Sequence, residues 1–259
     1  MKKTILITGA TDGIGLETAR MLTAAGHRVL VHGRNPAKVA AVADELQAKG
    51  YVAELSIMDE VEALAESVRN EHGALDVLIN NAGVLRVAEP VLDCGLDVRF
   101  VVNTIAPYVL TQKLLPLLGR SGRVINLSSA AQAPVNLEAF GGRGVLDEMQ
   151  AYAQSKLALT IWSAELAAKL GNEGPAILAV NPGSLLGSKM VKEAFGVDGG
   201  DLQIGADLLC RAAVSDEFAD ASGKYYDNDS KRFAAPHADA RDPQKCAAFM
   251  QALERVIGK

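Results

Sequence analysis

Short apolar runs rich in β-branched residues alternate with helix-patterned segments along almost all of this 259-residue chain, with short connections between them. That rhythm constrains the fold more than any other feature. Thr4–Thr8, Arg28–His32, Val52–Leu55, Asp76–Ile79, Arg123–Leu127, Ala176–Val180 and Lys224–Tyr226 read as strands. Gly15–Ala25, Pro36–Lys49, Asp59–Glu71, Leu96–Leu118, Gln150–Leu170, Leu202–Val214 and Pro243–Val256 read as helices. For the second helix, Asn35 is the expected N-cap, Pro36 the first residue and Gly50 the residue past its end. Strands joined through helices by short loops form right-handed crossovers, which align the strands in parallel and lay helices on both faces. The expected class is therefore α/β: a doubly wound parallel sheet of about seven strands flanked by helices on both faces. No repeat, low-complexity tract or linker interrupts the alternation, so residues 1–259 are expected to form a single domain.

The composition narrows the function classes. Apolar residues make up 49% and charged residues 22%, as in a globular protein with a sizeable core. A net charge of −5 argues against nucleic acid or an anionic membrane as the main partner. An aromatic content of 5% leaves little to stack on bases. Cys94, Cys210 and Cys246 are odd in number and form no CxxC, and the four histidines fall at no ligand spacing. Reduced, mostly buried thiols, no metal site and a cytoplasmic location are expected. The apolar run after Met1-Lys2-Lys3 stops at Thr8-Gly9, too early for a signal peptide. No stretch approaches the ~18 apolar residues of a membrane span.

Three glycines follow the first strand, in Thr8-Gly9-Ala10-Thr11-Asp12-Gly13-Ile14-Gly15. Glycine permits a tight strand-to-helix turn and lets backbone N–H groups approach a pyrophosphate, while the next helix offers its positive N-terminus. The spacing is G-x-x-x-G-x-G, not the commoner G-x-G-x-x-G, but the strand–turn–helix context points to a nucleotide-binding Rossmann fold. An acid after the second strand would bind the ribose 2′-hydroxyl of NAD. That place holds His32-Gly33-Arg34-Asn35. Arg34 offers a fork for a 2′-phosphate, so NADP(H) is the preferred cofactor and NAD(H) the alternative. Asp12, in the same turn, works against extra negative charge and moderates that preference.

Tyr152-Ala153-Gln154-Ser155-Lys156 places a phenol and an ammonium one helical turn apart on one face. A cation beside a tyrosine favours its phenolate and lowers its pKa from about 10 toward neutrality. The pair suits proton exchange with a carbonyl or alcohol oxygen.

Together these motifs resemble the short-chain dehydrogenase/reductase family, in order, as far as about Met190. Thr8–Gly15 is similar to that family's cofactor turn, and Gly9, Thr11, Asp12, Gly13, Ile14 and Gly15 are its expected contacts. Asn80-Asn81-Ala82-Gly83 resembles its NNAG motif, which supports the sheet and borders the cofactor through Asn81, Ala82 and Gly83. Asn103 falls at the family's catalytic Asn, Ser129 at its catalytic Ser (with Ser128 the alternative), and Tyr152 and Lys156 at its YxxxK pair. Asn181-Pro182-Gly183 is similar to the turn beside the nicotinamide. Glu54-Leu55 stands where the family often has an adenine-contacting pair.

Two departures are plain. Ala130–Ala151 is longer than the usual Ser-to-Tyr segment and is similar to that of retinol-dehydrogenase-like and protochlorophyllide-reductase-like branches. The usual Thr after the Pro-Gly turn is replaced by Gly187, with Ser184 and Ser188 as candidate substitutes.

The resemblance implies carbonyl–alcohol interconversion by hydride transfer. Tyr152 would be the general acid/base and Lys156 would tune it and hold the nicotinamide ribose. Ser129 would hold the substrate oxygen, and Asn103 would keep a water relay. It also implies a homodimer or homotetramer paired through the long helix and the apolar Leu157–Leu170 stretch. Leu85, Val135, Leu137, Phe140, Leu185 and Phe195 suggest an apolar pocket for the body of a small carbonyl or alcohol substrate, and Arg143 reads as a surface residue, with pairing to an acidic substrate group as the alternative. A catalytically silent NADP-binding sensor of the same fold is the alternative, against which the intact Ser129/Tyr152/Lys156 set argues. An epimerase with tightly held NAD would need a larger substrate domain than the chain leaves room for.

Overall fold

Residues of the first strand, β1 (Thr4–Ile7), divide between two cores: Ile5 and Ile7 face one side and Leu6 the other. This period-two alternation recurs across the sheet of the computed structural model, which describes residues 1–258. Val29 and Val31 of β2 (Arg28–Gly33), Val77 and Ile79 of β4 (Leu75–Asn80) and Ile125 of β5 (Leu118–Leu127) lie on the Ile5 side. Leu30, Leu78 and Val124 lie on the Leu6 side. β3 (Lys49–Val52), β6 (Ala176–Asn181), β7 (Tyr225–Asp227) and β8 (Arg232–Ala234) complete a sheet of order β3-β2-β1-β4-β5-β6-β7-β8. Neighbours are parallel except β7 and β8, a hairpin.

The helices are α1 (Gly13–Ala24), α2 (Pro36–Leu46), α3 (Met58–Glu71), α4 (Val98–Phe100), α5 (Ala106–Leu114), α6 (Leu137–Phe140), α7 (Glu148–Leu170), α8 (Lys189–Phe195), α9 (Leu202–Val214) and α10 (Pro243–Ile257). α1, α2 and α9 cover the Ile5 side, and α3, α5, α7 and α10 the Leu6 side. The doubly wound parallel sheet is thus present, and no helix among the described residues is long and apolar enough to cross a membrane.

Several boundaries differ from the sequence reading. α2 stops at Leu46 because Gln47 turns left-handed (φ 49°), so Gly50 lies inside β3 instead of past the helix. β3 therefore precedes Glu54-Leu55 instead of containing them. The expected helix 96–118 is α4, a π-helical turn (Val101–Ile105), α5 and a 3-10 turn (Leu115–Leu117), after which Leu118 already belongs to β5. β8 is three residues long, below the length at which alternation can be read.

Phe140 is a correction to the expected substrate wall. Its ring is fully buried between Phe100 and Phe249, edge-on, with centroids 5.2 Å away in each case. Val135 and Leu137 pack against the same core, whereas Leu185 and Phe195 are exposed. Leu157, Leu159, Ile161, Trp162 and Leu166 of α7 are buried within the chain itself, so its apolar character is accounted for by the core. Arg143 is exposed and paired with Glu138. Cys94 is exposed, while burial pushes the Cys210 thiol up to about 12 and that of Cys246 to about 11.

Candidate active site

The glycine turn between β1 and α1 is fixed by close backbone approach. Gly9 has φ +64°, and a Cβ on it would lie 2.9 Å from Ala82 Cα. A Cβ on Gly15 would collide with Asn81 Nδ2 and the Gly9 carbonyl. Asn81 staples the turn, donating from Nδ2 to the carbonyls of Thr8 (2.8 Å) and Gly9 (3.0 Å). Thr8 Oγ1 accepts from the backbone N–H groups of Asn81 and Ala82. Asp12 caps α1 by accepting from Gly13 N. This tight cradle suits a pyrophosphate at a helix N-terminus. Asn81, placed by the sequence among the ligand contacts, also has this internal task.

From the turn a cleft of about 500 Å³ crosses the carboxyl ends of the strands, where open α/β sheets bind ligands. Its walls include Thr11, Ile14, Arg34, Glu54, Leu55, Ala82, Gly83, Tyr152, Lys156 and Pro182. Another groove, about 600 Å³ between α5, α7 and α10, touches none of these residues.

At the end beside β2, cations and acids face each other. Arg34 Nη1 lies 3.6 Å from Glu54 Oε2, and Lys38 Nζ lies 3.5 Å from Asp12 Oδ2. Lys38, near the start of α2, was not singled out by the sequence. His32, 2% exposed, bridges this end to the turn. Its Nδ1 accepts from Gly9 N (3.3 Å) and its Nε2 faces the Ala53 carbonyl (3.1 Å). Burial lowers its pKa to about 4, so it is neutral, with the proton on Nε2.

At the other end, α7 carries Tyr152 and Lys156. Lys156 is 4% exposed, donates to the Leu127 carbonyl (2.7 Å) and lies 5.6 Å from the Tyr152 ring centroid. Burial lowers its pKa to about 8. Burial pushes the Tyr152 phenol up, and the hydrogen bond with Ser129 draws it partly back. The acidification of Tyr152 expected from the sequence is therefore reversed in direction: burial of the phenol raises its pKa, and the bond with Ser129 only partly offsets that.

The two serines after β5 diverge. Ser128 Oγ is buried against the Lys156 carbonyl (3.1 Å) and Thr160 Oγ1 (2.7 Å). Ser129 Oγ accepts from Ala131 N (3.1 Å) and meets Tyr152. Asn103 sits in the π-helical turn, where widened turns often mark functional sites. Both its amide hydrogens are engaged, with the Val84 carbonyl (2.9 Å) and Ser155 Oγ (3.0 Å), and its oxygen accepts from Val84 N (2.8 Å). A Cβ on Gly83 would lie 3.3 Å from Asn103 Oδ1 and 3.4 Å from Lys156 Nζ, so the three adjoin.

Beyond β6, Asn181 Oδ1 accepts from Gly183 N and its Nδ2 donates to Asp227 and Asp229. Ser184 donates to Asp229 Oδ2 (2.5 Å), and it is Ser188, the N-cap of α8, that lines the cleft. Arg86 donates to Glu148 Oε2 (3.1 Å) on α7 and to the Glu193 carbonyl (2.8 Å) on α8. Ser188 was one of the two serines the sequence offered after the Pro-Gly turn, whereas His32, Lys38, Arg86 and the residues behind Ser129 were missed by sequence reasoning. Only Lys38 carried a signal, a cation in the first turn after Arg34-Asn35-Pro36.

The sequence model of the short chain dehydrogenase family matches residues 3–196. Retinol dehydrogenase 13 of Homo sapiens is 28% identical over 99% of this chain and 85% of its own length. Retinol dehydrogenase 12 of Bos taurus is 33% identical over 91% of this chain and 81% of its own. Among solved structures, a short chain dehydrogenase from Burkholderia cenocepacia J2315 in complex with NADP superposes with a TM-score of 0.72 at 26% identity, covering 87% of this chain and 95% of that one.

Proposed function

Because this chain belongs to the short-chain dehydrogenase family, oxidoreductases acting on CH–OH and C=O groups, we propose that it reduces an aldehyde or ketone with NADPH, using Tyr152 as the proton donor. The observation that carries the reading is that the Tyr152 phenol and Lys156 line the cleft together, with the Lys156 ammonium 5.6 Å from the phenol ring and Ser129 beside the phenol.

The Gly9–Gly15 cradle would hold the pyrophosphate, Arg34 and Lys38 a 2′-phosphate, and Lys156, Pro182 and Ser188 the nicotinamide end. A bound nicotinamide supplies the hydride, or accepts it in the reverse direction. The chain's residues handle the proton. Ala131 N–H fills one lone pair of Ser129 Oγ, and the hydroxyl, which faces Tyr152, can donate to a substrate oxygen placed between the two. Tyr152, its pKa raised by burial, is fully protonated at neutral pH and ready to give that oxygen its proton. Lys156 stabilises the phenolate left behind. Glu54 lies beside Arg34 and Asp12 beside Lys38, so a 2′-phosphate bound there would compete with these carboxylates for the two cations.

The retinol dehydrogenases among the relatives bear the name of an alcohol with a long apolar body, which supports an apolar substrate. Leu85 and Met190 along the cleft, and exposed Leu185 and Phe195 on the segment leading to and ending α8, support it too. The test is consumption of NADPH and NADH against a panel of aldehydes, ketones and quinones. Turnover with preference for NADPH is expected, with Arg34→Ala removing most of that preference. Dinucleotide binding without turnover across the panel would overturn the reading.

A further inference from the structure

The family match ends at residue 196, yet the following segment returns to the site and grips it. Tyr225 on β7 is 7% exposed, and its hydroxyl donates to the backbone carbonyl of Ser129 (3.1 Å). Gln132 Nε2 donates to the same carbonyl (3.0 Å). The Gln132 amide cannot be turned over without loss, because its oxygen accepts from His237 N (3.0 Å). A carbonyl has two lone pairs, and here side chains from two directions fill both. A loop carbonyl needs no such support, since water would satisfy it.

We propose that Tyr225 and Gln132 are positioning residues that fix the Ser129 hydroxyl, so that the β7–β8 hairpin completes the active site. With its carbonyl pinned behind and Ala131 N–H held to its Oγ in front, Ser129 keeps its hydroxyl directed at Tyr152. The hairpin holds the neighbouring turn as well: Asn228 Nδ2 donates to the Pro182 carbonyl (2.9 Å), and Asp227 and Asp229 both accept from Asn181 Nδ2. One hairpin therefore sets the loops after β5 and after β6 against each other. Burial, with the charges of Asp227 and Asp229, pushes the Tyr225 phenol up, so it remains a donor at any working pH.

This inference rests on Ser129 being the substrate-holding hydroxyl, and the test separates the two. Tyr225→Phe and Gln132→Met are made alone and on a Ser129→Ala background, and kcat/KM is compared with the NADPH dissociation constant. Each single change should lower kcat/KM about tenfold through misplacement of the hydroxyl, with NADPH affinity unchanged. On Ser129→Ala neither should cost anything further, because there is no hydroxyl left to misplace. Gln132→Met leaves the β7 core intact, so the test survives if Tyr225→Phe does not fold. An unchanged kcat/KM in both single variants, or an equal loss on the Ser129→Ala background, overturns the proposal. Full turnover by Ser129→Ala itself overturns the reading of Ser129, and this inference with it.

Discussion

His32 shows how a residue outside every motif can govern a site. It joins Gly9 to Ala53, 44 positions apart in sequence, and does so only as the neutral tautomer. Its folded pKa, about 4, lies below the ordinary 6.5. The unfolded chain therefore takes up a proton first as pH falls, so the contribution is complete above pH 6.5 and is lost as pH drops through 4. Its loss amounts to about 3 kcal/mol by pH 4. Urea unfolding of wild type and His32→Leu between pH 7 and pH 4 should converge by that amount, and parallel curves would show that the histidine carries no such linkage. At the 2′ end, Lys38→Ala should weaken NADPH binding about tenfold and leave NADH binding alone, as for one lost charge-assisted contact. Equal losses for both dinucleotides would place Lys38 elsewhere. The motif residues were legible because each chemistry lies within a few positions of sequence. His32, Gln132 and Tyr225 were not, because their partners include residues brought near only by the sheet.

At the scale of elements, alternation located seven of the strands, and the errors have local causes. A left-handed Gln47 released the residues of β3 from the preceding helix, and the π-helical turn around Asn103 divided what read as one long helix. β8 exists only through its hairpin with β7, which no periodicity announces. α8 was missed for a related reason. None of its residues is buried, so it has no apolar stripe to read. It rests over the cleft on a loop closed by the Leu186–Gly200 bridge and is tied to α7 through Arg86. Arg86→Ala should speed tryptic cleavage after Lys189 and Lys192 a few-fold, in line with about 1 kcal/mol for an exposed charged contact. Unchanged cleavage would mean that Arg86 does not hold α8.

For the whole molecule, the doubly wound sheet follows from short strands, crossover helices and a single consistent alternation of side chains. A dinucleotide laid across the strand ends would touch loops after β1, β2, β4, β5 and β6 at once, so its binding should stabilise the entire domain. At a hundredfold excess over its dissociation constant, NADPH should add about 2.7 kcal/mol to unfolding, and NADH less at equal concentration. The most direct test of the account is single-turnover oxidation of NADPH by Tyr152→Phe on a carbonyl that wild type reduces, with the NADPH dissociation constant measured beside it. The account predicts a rate lower by at least ~100-fold at unchanged affinity, as for removal of a positioned acid. A rate near wild type would show that the phenol is not the proton donor.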